Sequence, residues 1–313
     1  MALNYAQAWE PELLEILIQG TLTSPFVTQN VKWLDAKTFH FTQMSTSGFK
    51  SHNRNGGWNS GTFKQVDVPF TVGHDRDVQF LVDKADVDET NATASIQNIS
   101  RIFEQTQAVP ETDALFFSKV AQKAQGADGY HSSTATADYT VENTFSKLKG
   151  YLATGKLRRY KANGSLIMYV TSAIMDHLEN SKEFTRKIEM TQVAEGGIGI
   201  ETRVTDIDGV PVMEVIDDER FYDKFNFDPT DGGFEPVASE SHRINVLIAC
   251  GQTCKTVPKI SSIYYFEPGT HTEGDGYLYQ NRSLSDVFVF PNGKDGKIDS
   301  IFVDVDTTAY TAV

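Results

Sequence analysis

The residues that could do chemistry in this chain are few, and each set lacks part of the site that it suggests. Cys250 and Cys254 could share a metal ion only with a second cysteine or histidine pair, and the sequence has none. Asp206 and Asp208 could act as general acid and base, but a turn into a strand explains this pair equally well. The sequence Gly-Gly-Ile-Gly at 196–199 lacks the third glycine and the strand-turn-helix context of a dinucleotide site.

Other catalytic and metal-binding patterns are also incomplete. The seven histidines do not show the His-x-x-x-His spacing of a zinc-binding helix. Residues 291–296 lack oxygen ligands at the first and third positions of an EF-hand loop. The sequence contains no Gly-x-Ser-x-Gly nucleophile elbow. We therefore predict a protein that is not an enzyme, with no metal and no cofactor.

The most informative stretch is a long arm that the neighbouring elements must hold. Residues 38–44 and 62–72 alternate apolar and polar side chains, which predicts two half-buried strands. The connection at 45–61 is polar and has almost nothing to bury. A compact domain rarely keeps so long a connection unless it binds something. Its aromatic and basic side chains, together with one at the start of the second strand, are the candidate contact residues: Phe49, Lys50, Arg54, Trp58 and Lys64.

Two interpretations of this arm are open. It could be a flexible surface loop, or it could lie on the acidic surface of an adjacent copy, with Phe49 and Trp58 as anchors. Tryptophan and arginine dominate interface energies, and opposite charges specify the register of a contact. We favour the second interpretation, which makes the chain an assembly protein.

Length and charge narrow the class further. The 313 residues suffice for two domains or for one large domain with insertions. The net charge of −14 argues against broad non-specific affinity for nucleic acid. The sequence predicts no membrane helix and no secretory signal. We expect both cysteines to be reduced core thiols, which is consistent with synthesis in a cytosol.

The remaining pattern predicts an α+β protein. Helical spacing extends over 88–124, where Pro110 should end or kink the helix. An α/β segment follows from residue 141, with strands at 165–170 and 244–249, and with strands at 200–216 that are broken by a turn at Asp208-Gly209. The C-terminal part is rich in strands, at 262–266, 284–290 and 298–305. Asn292-Gly293 predicts a hairpin between the last two.

This order of elements resembles the major capsid proteins of tailed phages with the Hong Kong 97-type fold. The resemblance covers nearly the whole chain. It rests on the first six residues, Met-Ala-Leu-Asn-Tyr-Ala, and on short sequence patterns at 75–83, 109–113, 181–188, 207–215 and 276–282. It implies a long spine helix, an extended β-hairpin loop, and peripheral and axial domains. The expected division is an N-terminal arm at 1–36, the extended loop hairpin at 37–73, a peripheral domain with the spine helix at 74–140, an axial domain at 141–258 and peripheral C-terminal strands at 259–313.

The resemblance also implies a function and a set of partners. The chain would self-assemble, as hexamers and pentamers, into the icosahedral head shell around double-stranded DNA, without sequence specificity. Glu267 and Asp275 would lie in a loop that meets neighbours near threefold axes. Further partners would be a portal protein, a scaffolding protein, and decoration or head-completion proteins. The location would be the virion, after assembly in the bacterial host cytoplasm, with no membrane contact.

Two other hypotheses remain at this stage. One is an encapsulin-like compartment shell with the same fold, which would hold an enzyme cargo. The other, from a different class, is a hydrolase or binding protein with a mobile loop, which would be a monomer or small oligomer. The contents of purified particles separate the first from a phage shell, and a discrete ligand pocket would mark the second.

Overall fold

The computed structural model describes residues 20–28, 37–52, 54, 56–85, 96–153, 157–161, 164–181, 189–192, 201–291 and 297–311. Within these ranges the chain combines helices with four sheets, so the predicted α+β class is confirmed. The predicted helix start near 88 and the Asn292-Gly293 turn lie outside them. No helix in these ranges is long and apolar enough to cross a membrane.

The arm is a regular antiparallel hairpin. Strand β1 (Thr38–Thr46) pairs with β2 (Phe63–Thr71) without a register shift, from Thr38 opposite Thr71 to Thr46 opposite Phe63. This confirms the strands that the alternating pattern predicted, each shifted by one or two residues at its ends.

A three-stranded antiparallel sheet continues from the arm. Its order is β12 (Cys254–Phe266), β13 (Gly276–Val289) and β3 (His74–Asp83), with β13 in the centre. Side chains along β3 alternate strictly between half-buried and exposed. The half-buried face packs against a long helix, where the rings of Phe80 and Phe103 lie 5.4 Å apart.

The long helix covers residues 96–125 without a break. It has an α-helical part Ile96–Phe103, a π-helical turn Glu104–Ala108 and a second α-helical part Val109–Gln125. Pro110 therefore does not end the helix, which was one of the two predicted alternatives. Proline lacks an N–H and its ring would clash with the carbonyl four residues earlier, and a wider π turn relieves this conflict.

A seven-stranded mixed sheet forms the centre of the molecule. Its order is β4 (His131–Ser133), β14 (Phe302–Ala309), β11 (His242–Cys250), β5 (Leu166–Thr171), β8 (Val210–Val215), β7 (Glu201–Ile207) and β6 (Glu189–Gln192). One face packs against the long helix, and the other packs against the helices Thr144–Ala153, Leu157–Lys161 and Ser172–Glu179. A small pair, β9 (Phe225–Asn226) and β10 (Glu235–Pro236), lies apart from it.

The topology of the last strands differs from the sequence prediction. Strands β13 and β14 do not form a hairpin, because β13 pairs with β12 and β3 whereas β14 pairs with β11 and β4. The Asn-Gly signal is local, and the sheet that a strand joins depends on tertiary contacts. The segment 259–313 thus supplies strands to both large sheets.

The N-terminal segment 20–28 is fixed in the core by a buried charge cluster. The Asp113 carboxylate on the long helix accepts hydrogen bonds from the backbone N–H groups of Leu22 (3.0 Å) and Thr23 (3.2 Å), and from the Thr23 hydroxyl (2.7 Å). The buried Arg220 guanidinium donates to the same carboxylate at 3.0 Å. Burial raises the pKa of Asp113, while Arg220 acts in the opposite direction.

Candidate inter-subunit surface

The base of the arm is held by an aromatic cluster. The Phe39 ring lies 5.5 Å from Phe70 on the paired strand and 5.1 Å from Phe288 on β13. Phe70 also contacts Phe290 at 5.3 Å, edge to face. Phe39 is buried, so this end of the hairpin belongs to a core that it shares with the three-stranded sheet. The arm therefore leaves the body from a rigid root.

The distal half of the arm is exposed in spite of its large apolar side chains. Met44 and Phe63 are 68% and 77% exposed, and Phe49 and Trp58 at the tip are fully exposed. Single exposed apolar residues are common, whereas a group of four on one hairpin makes this arm a candidate binding surface.

The connection at the tip has an order of its own. The backbone of Ser47 and Thr62 closes the end of the strands, with Ser47 N–H donating to the Thr62 carbonyl at 2.8 Å. Lys50 Nζ donates to the Ser60 carbonyl at 3.3 Å, and Asn59 Nδ2 donates to the Ser51 carbonyl at 2.9 Å. These bonds cross the loop and hold its two sides together.

The arm is basic within an acidic protein. Residues 37–73 contain four basic side chains and one carboxylate, whereas the whole chain carries a net charge of −14. Arg54 is exposed at the tip, and Lys64 lies on β2 opposite Ser45, so it belongs to the strand and not to the loop. The charge contrast favours contact with an acidic surface.

An acidic surface lies on the outer face of the three-stranded sheet. Asp75, Asp77 and Asp83 lie on the exposed side of β3, where Gln79 and Leu81 occupy the two positions between the last two aspartates. Arg282 donates two hydrogen bonds to Asp75, at 3.1 and 2.9 Å, which lower the pKa of that carboxyl. Glu267 is exposed just beyond the end of β12, at the same end of the sheet as Asp83.

The structure thus divides the predicted contact residues into two groups. Phe49, Lys50, Arg54, Trp58 and Lys64 share the arm hairpin, whereas Glu267 and Asp275 are exposed beside the turn between β12 and β13. Sequence reasoning missed the acidic row of β3, although its alternation with His74, Arg76 and Val78 is a visible signal. Among the described residues, no group of three or more His, Cys, Asp or Glu side chains could hold a metal ion.

Comparison by sequence finds no relative. No protein-family model matches this chain, and neither does any curated protein.

Comparison by structure gives a different result. The chain is similar to the asymmetric unit of the mature capsid of bacteriophage PhiM1, with a TM-score of 0.64 and 12% identity, over 97% of this chain and 92% of that chain. The chain has the Hong Kong 97-type fold of phage capsid proteins. The capsid of cyanophage P-SCSP1u matches over 97% of this chain and 93% of its own, with 11% identity and a TM-score of 0.59. A structure from Mycobacterium phage Che8 matches over 95% of this chain and 96% of its own, with 12% identity and a TM-score of 0.59.

The capsid fold confirms the fold predicted from the order of elements. Coverage of more than nine tenths of both chains means that the arm, the long helix and both large sheets fall within the likeness. At identities near 12% the likeness establishes the fold.

Proposed function

We propose that this chain is the major capsid protein of a tailed bacteriophage and self-assembles into an icosahedral head shell. The observation that carries the proposal is the capsid fold, which extends over 95–97% of the chain and nearly all of the matched capsid proteins. The role is structural and non-enzymatic. The encapsulin-like alternative is not favoured, because the matched structures come from phages.

The exposed arm supports assembly through contacts between copies. A hairpin that is rooted in one core and fully exposed at its aromatic tip gains little from its own subunit. We propose that Phe49 and Trp58 anchor the tip on a neighbour, and that Lys50, Arg54 and Lys64 face its carboxylates. The acidic row of β3 on the neighbour is a complementary surface for them.

The second contact group extends this arrangement to other neighbours. Glu267 and Asp275 flank an exposed turn at the far end of the β12–β13 pair, and we propose that this turn meets adjacent subunits near threefold axes. Closed shells form when each subunit uses the same surfaces against each neighbour. Hexamers and pentamers are the expected rings.

The proposed domain division follows the two large sheets. The three-stranded sheet and the long helix would form the peripheral domain, and the segment 141–258 would supply most of the axial domain. Strand β14 is hydrogen-bonded within the seven-stranded sheet and would belong with it, although it follows residue 259 in sequence.

The acidity of the chain fits the containment of DNA. A shell with a net charge of −14 per subunit would not hold phosphates tightly, so packaged double-stranded DNA could leave again. The proposal includes a portal, a scaffolding protein, and decoration or head-completion proteins as partners. Assembly would take place in the bacterial cytoplasm, and the mature protein would reside in the virion.

Electron microscopy of the expressed protein tests the proposal. The chain is produced with the neighbouring genes of its genome, and the particle fraction is examined after negative staining. Uniform icosahedral particles that contain DNA are expected after infection, and empty shells are expected from expression. A monomer or small oligomer under every condition, with a scaffolding protein present, would overturn the proposed function.

A further inference from the structure

The three-stranded sheet has an edge that the described part of the chain leaves open. Strand β12 is an edge strand of this sheet, and on its outer side Val27 forms an isolated β-bridge with Thr256. From Val257 to the end of β12, no other described strand pairs with that side. The backbone N–H and C=O groups along such an edge are a template for another strand.

The sequence of this edge favours pairing. Residues 260–266 read Ile-Ser-Ser-Ile-Tyr-Tyr-Phe, with no charge, no proline and no glycine. Ile263 and Tyr264 are more than half exposed, at 58% and 54%, and Tyr265 is 43% exposed. Exposed edges are normally protected by charges, prolines or bulges. Here Pro258 and the register shift that follows it protect one end of the strand, so 260–266 stays open.

The charges beside this stretch are arranged symmetrically about Ile263. Lys259 lies four residues before it and Glu267 lies four residues after it. If two copies pair antiparallel with Ile263 opposite Ile263, Lys259 at the bulged end of one stretch comes next to Glu267, which lies just beyond the end of β12 in the other copy. A parallel arrangement in register would place like charges opposite each other, which is unfavourable.

The same register also matches large side chains with small ones. A residue that follows Ile263 by a given number of positions lies opposite the residue that precedes Ile263 by the same number in the other copy. Tyr265 would therefore lie opposite Ser261, and Tyr264 opposite Ser262. A shift by one residue in either direction separates Lys259 from Glu267. The edge is therefore complementary to itself in one antiparallel register, as an isologous twofold contact requires.

We propose that the edge strand β12 pairs with β12 of a second copy, antiparallel about a twofold axis at Ile263. This joins two three-stranded sheets into one sheet of six strands across the contact. The inference rests on the proposed shell function, because the second copy is a neighbouring subunit in the assembly. It adds a contact to those of the arm and of the turn at 267–275.

Disulfide formation in assembled particles tests the contact. Directly opposite residues of an antiparallel pair have Cα atoms about 4.5–5.5 Å apart, within the span of about 4.4–6.8 Å that a disulfide bridges. The Ile263→Cys variant should therefore form disulfide-linked dimers after mild oxidation of particles. The native Cys250 and Cys254 are buried and should not react.

A matched variant controls for random collision. Ser261→Cys places an exposed thiol on the same strand and the same face, but its symmetry mate would be about 14 Å away at a rise of about 3.4 Å per residue. We expect dimers from Ile263→Cys and none from Ser261→Cys on a non-reducing gel, with mass spectrometry showing a link between position 263 of two copies. A monomeric Ile263→Cys subunit in intact particles, or a link from position 263 to another segment, would overturn the inference.

A charge exchange gives an independent result. Lys259→Glu and Glu267→Lys, each alone, should lower the particle yield about tenfold or more, because like charges then meet at both ends of the contact. The double variant should recover the yield. If wild-type shells form, but Ile263→Cys particles give no cross-link and the double charge variant recovers no yield, this contact is rejected and the proposed function stands. The absence of wild-type shells rejects the proposed function itself.

Discussion

Replacing Asp113 with alanine should destabilise the subunit strongly, because its carboxylate holds four donors in the core. It accepts hydrogen bonds from Leu22 N–H, from Thr23 N–H and Oγ1, and from Arg220 Nη1, at 2.7–3.2 Å. Asp113 and Arg220 are both within 1% of complete burial. In the variant the buried Arg220 guanidinium keeps its ion pair with Asp217 but loses the one with Asp113, and the backbone N–H groups of residues 22 and 23 lose their acceptor.

The magnitude follows from these losses. Breaking a buried ion pair by removing one partner costs about 3–5 kcal/mol. An orphaned buried donor costs about 1–3 kcal/mol, but such terms are not additive within one network. We therefore expect the free energy of unfolding to fall by about 4 kcal/mol, a large fraction of the roughly 5–15 kcal/mol that stabilises a typical domain.

Urea unfolding of the unassembled subunit, followed by circular dichroism, measures this change. Limited proteolysis gives a second readout, because residues 20–28 lose their attachment to the long helix and should be cut earlier. Asp128→Ala, at an exposed aspartate just beyond the same helix, is the matched control and should change stability by about 0.5 kcal/mol or less.

A double variant separates the ion pair from general packing. Asp113→Leu together with Arg220→Met replaces both charges with apolar side chains, so it should be more stable than Asp113→Leu or Arg220→Met alone. A loss below about 1 kcal/mol for Asp113→Ala, or strictly additive losses in the double variant, would refute the assignment of this cluster as the attachment of the N-terminal segment.

Further predictions concern the arm and the thiols. Replacing Phe49 and Trp58 together with alanine should leave the unfolding midpoint of the subunit unchanged and reduce the number of closed particles seen by electron microscopy; normal particles would contradict the assigned role of the tip. Phe39→Ala removes a buried ring at the arm root and should lower stability by about 3–5 kcal/mol in the same urea assay, unlike the tip variants. Burial raises the pKa of Cys254 to about 12 from the usual 9.0, so stability should fall from pH 9 towards pH 12 as the unfolded chain ionises first. At pH 8, Cys250 and Cys254 should react with a thiol reagent in urea and not in the native subunit; reaction of the native protein would contradict their burial.

Local patterns were sufficient to predict the strands of the arm and most of the central strands. Alternation at 38–44 and 62–72 indicates a strand, because successive side chains point to opposite faces, and this depends on neighbours one and two residues away; that the distal half is exposed on both faces is not contained in the pattern. The turn at Asp208-Gly209 was predicted for a similar reason, because aspartate and glycine tolerate positive φ angles better than most residues. In the structure these angles are 53° and 78°. The contact residues of the arm were identified because large aromatic side chains in a polar loop have no local partner.

Other features depend on segments that are distant in sequence. Strand β4 lies between the helical stretch 88–124 and the α/β segment that begins at 141, where no strand was predicted, because its pairing with β14 joins residues about 170 positions apart. The alternation of β3 was visible, but only the packing of the long helix decided that its carboxylates are the exposed row.

What the sequence by itself determined is most of the helices and strands and the basic character of the arm, because periodicity and turn chemistry act over a few residues. Tertiary structure decided which sheet each late strand joins, how the helix passes Pro110, that Asp113 and Arg220 meet in the core, and that no other strand among the described residues pairs with the edge at 260–266. The reason is that strand partners and buried charges are selected by the free energy of packing the whole chain, which no local window contains.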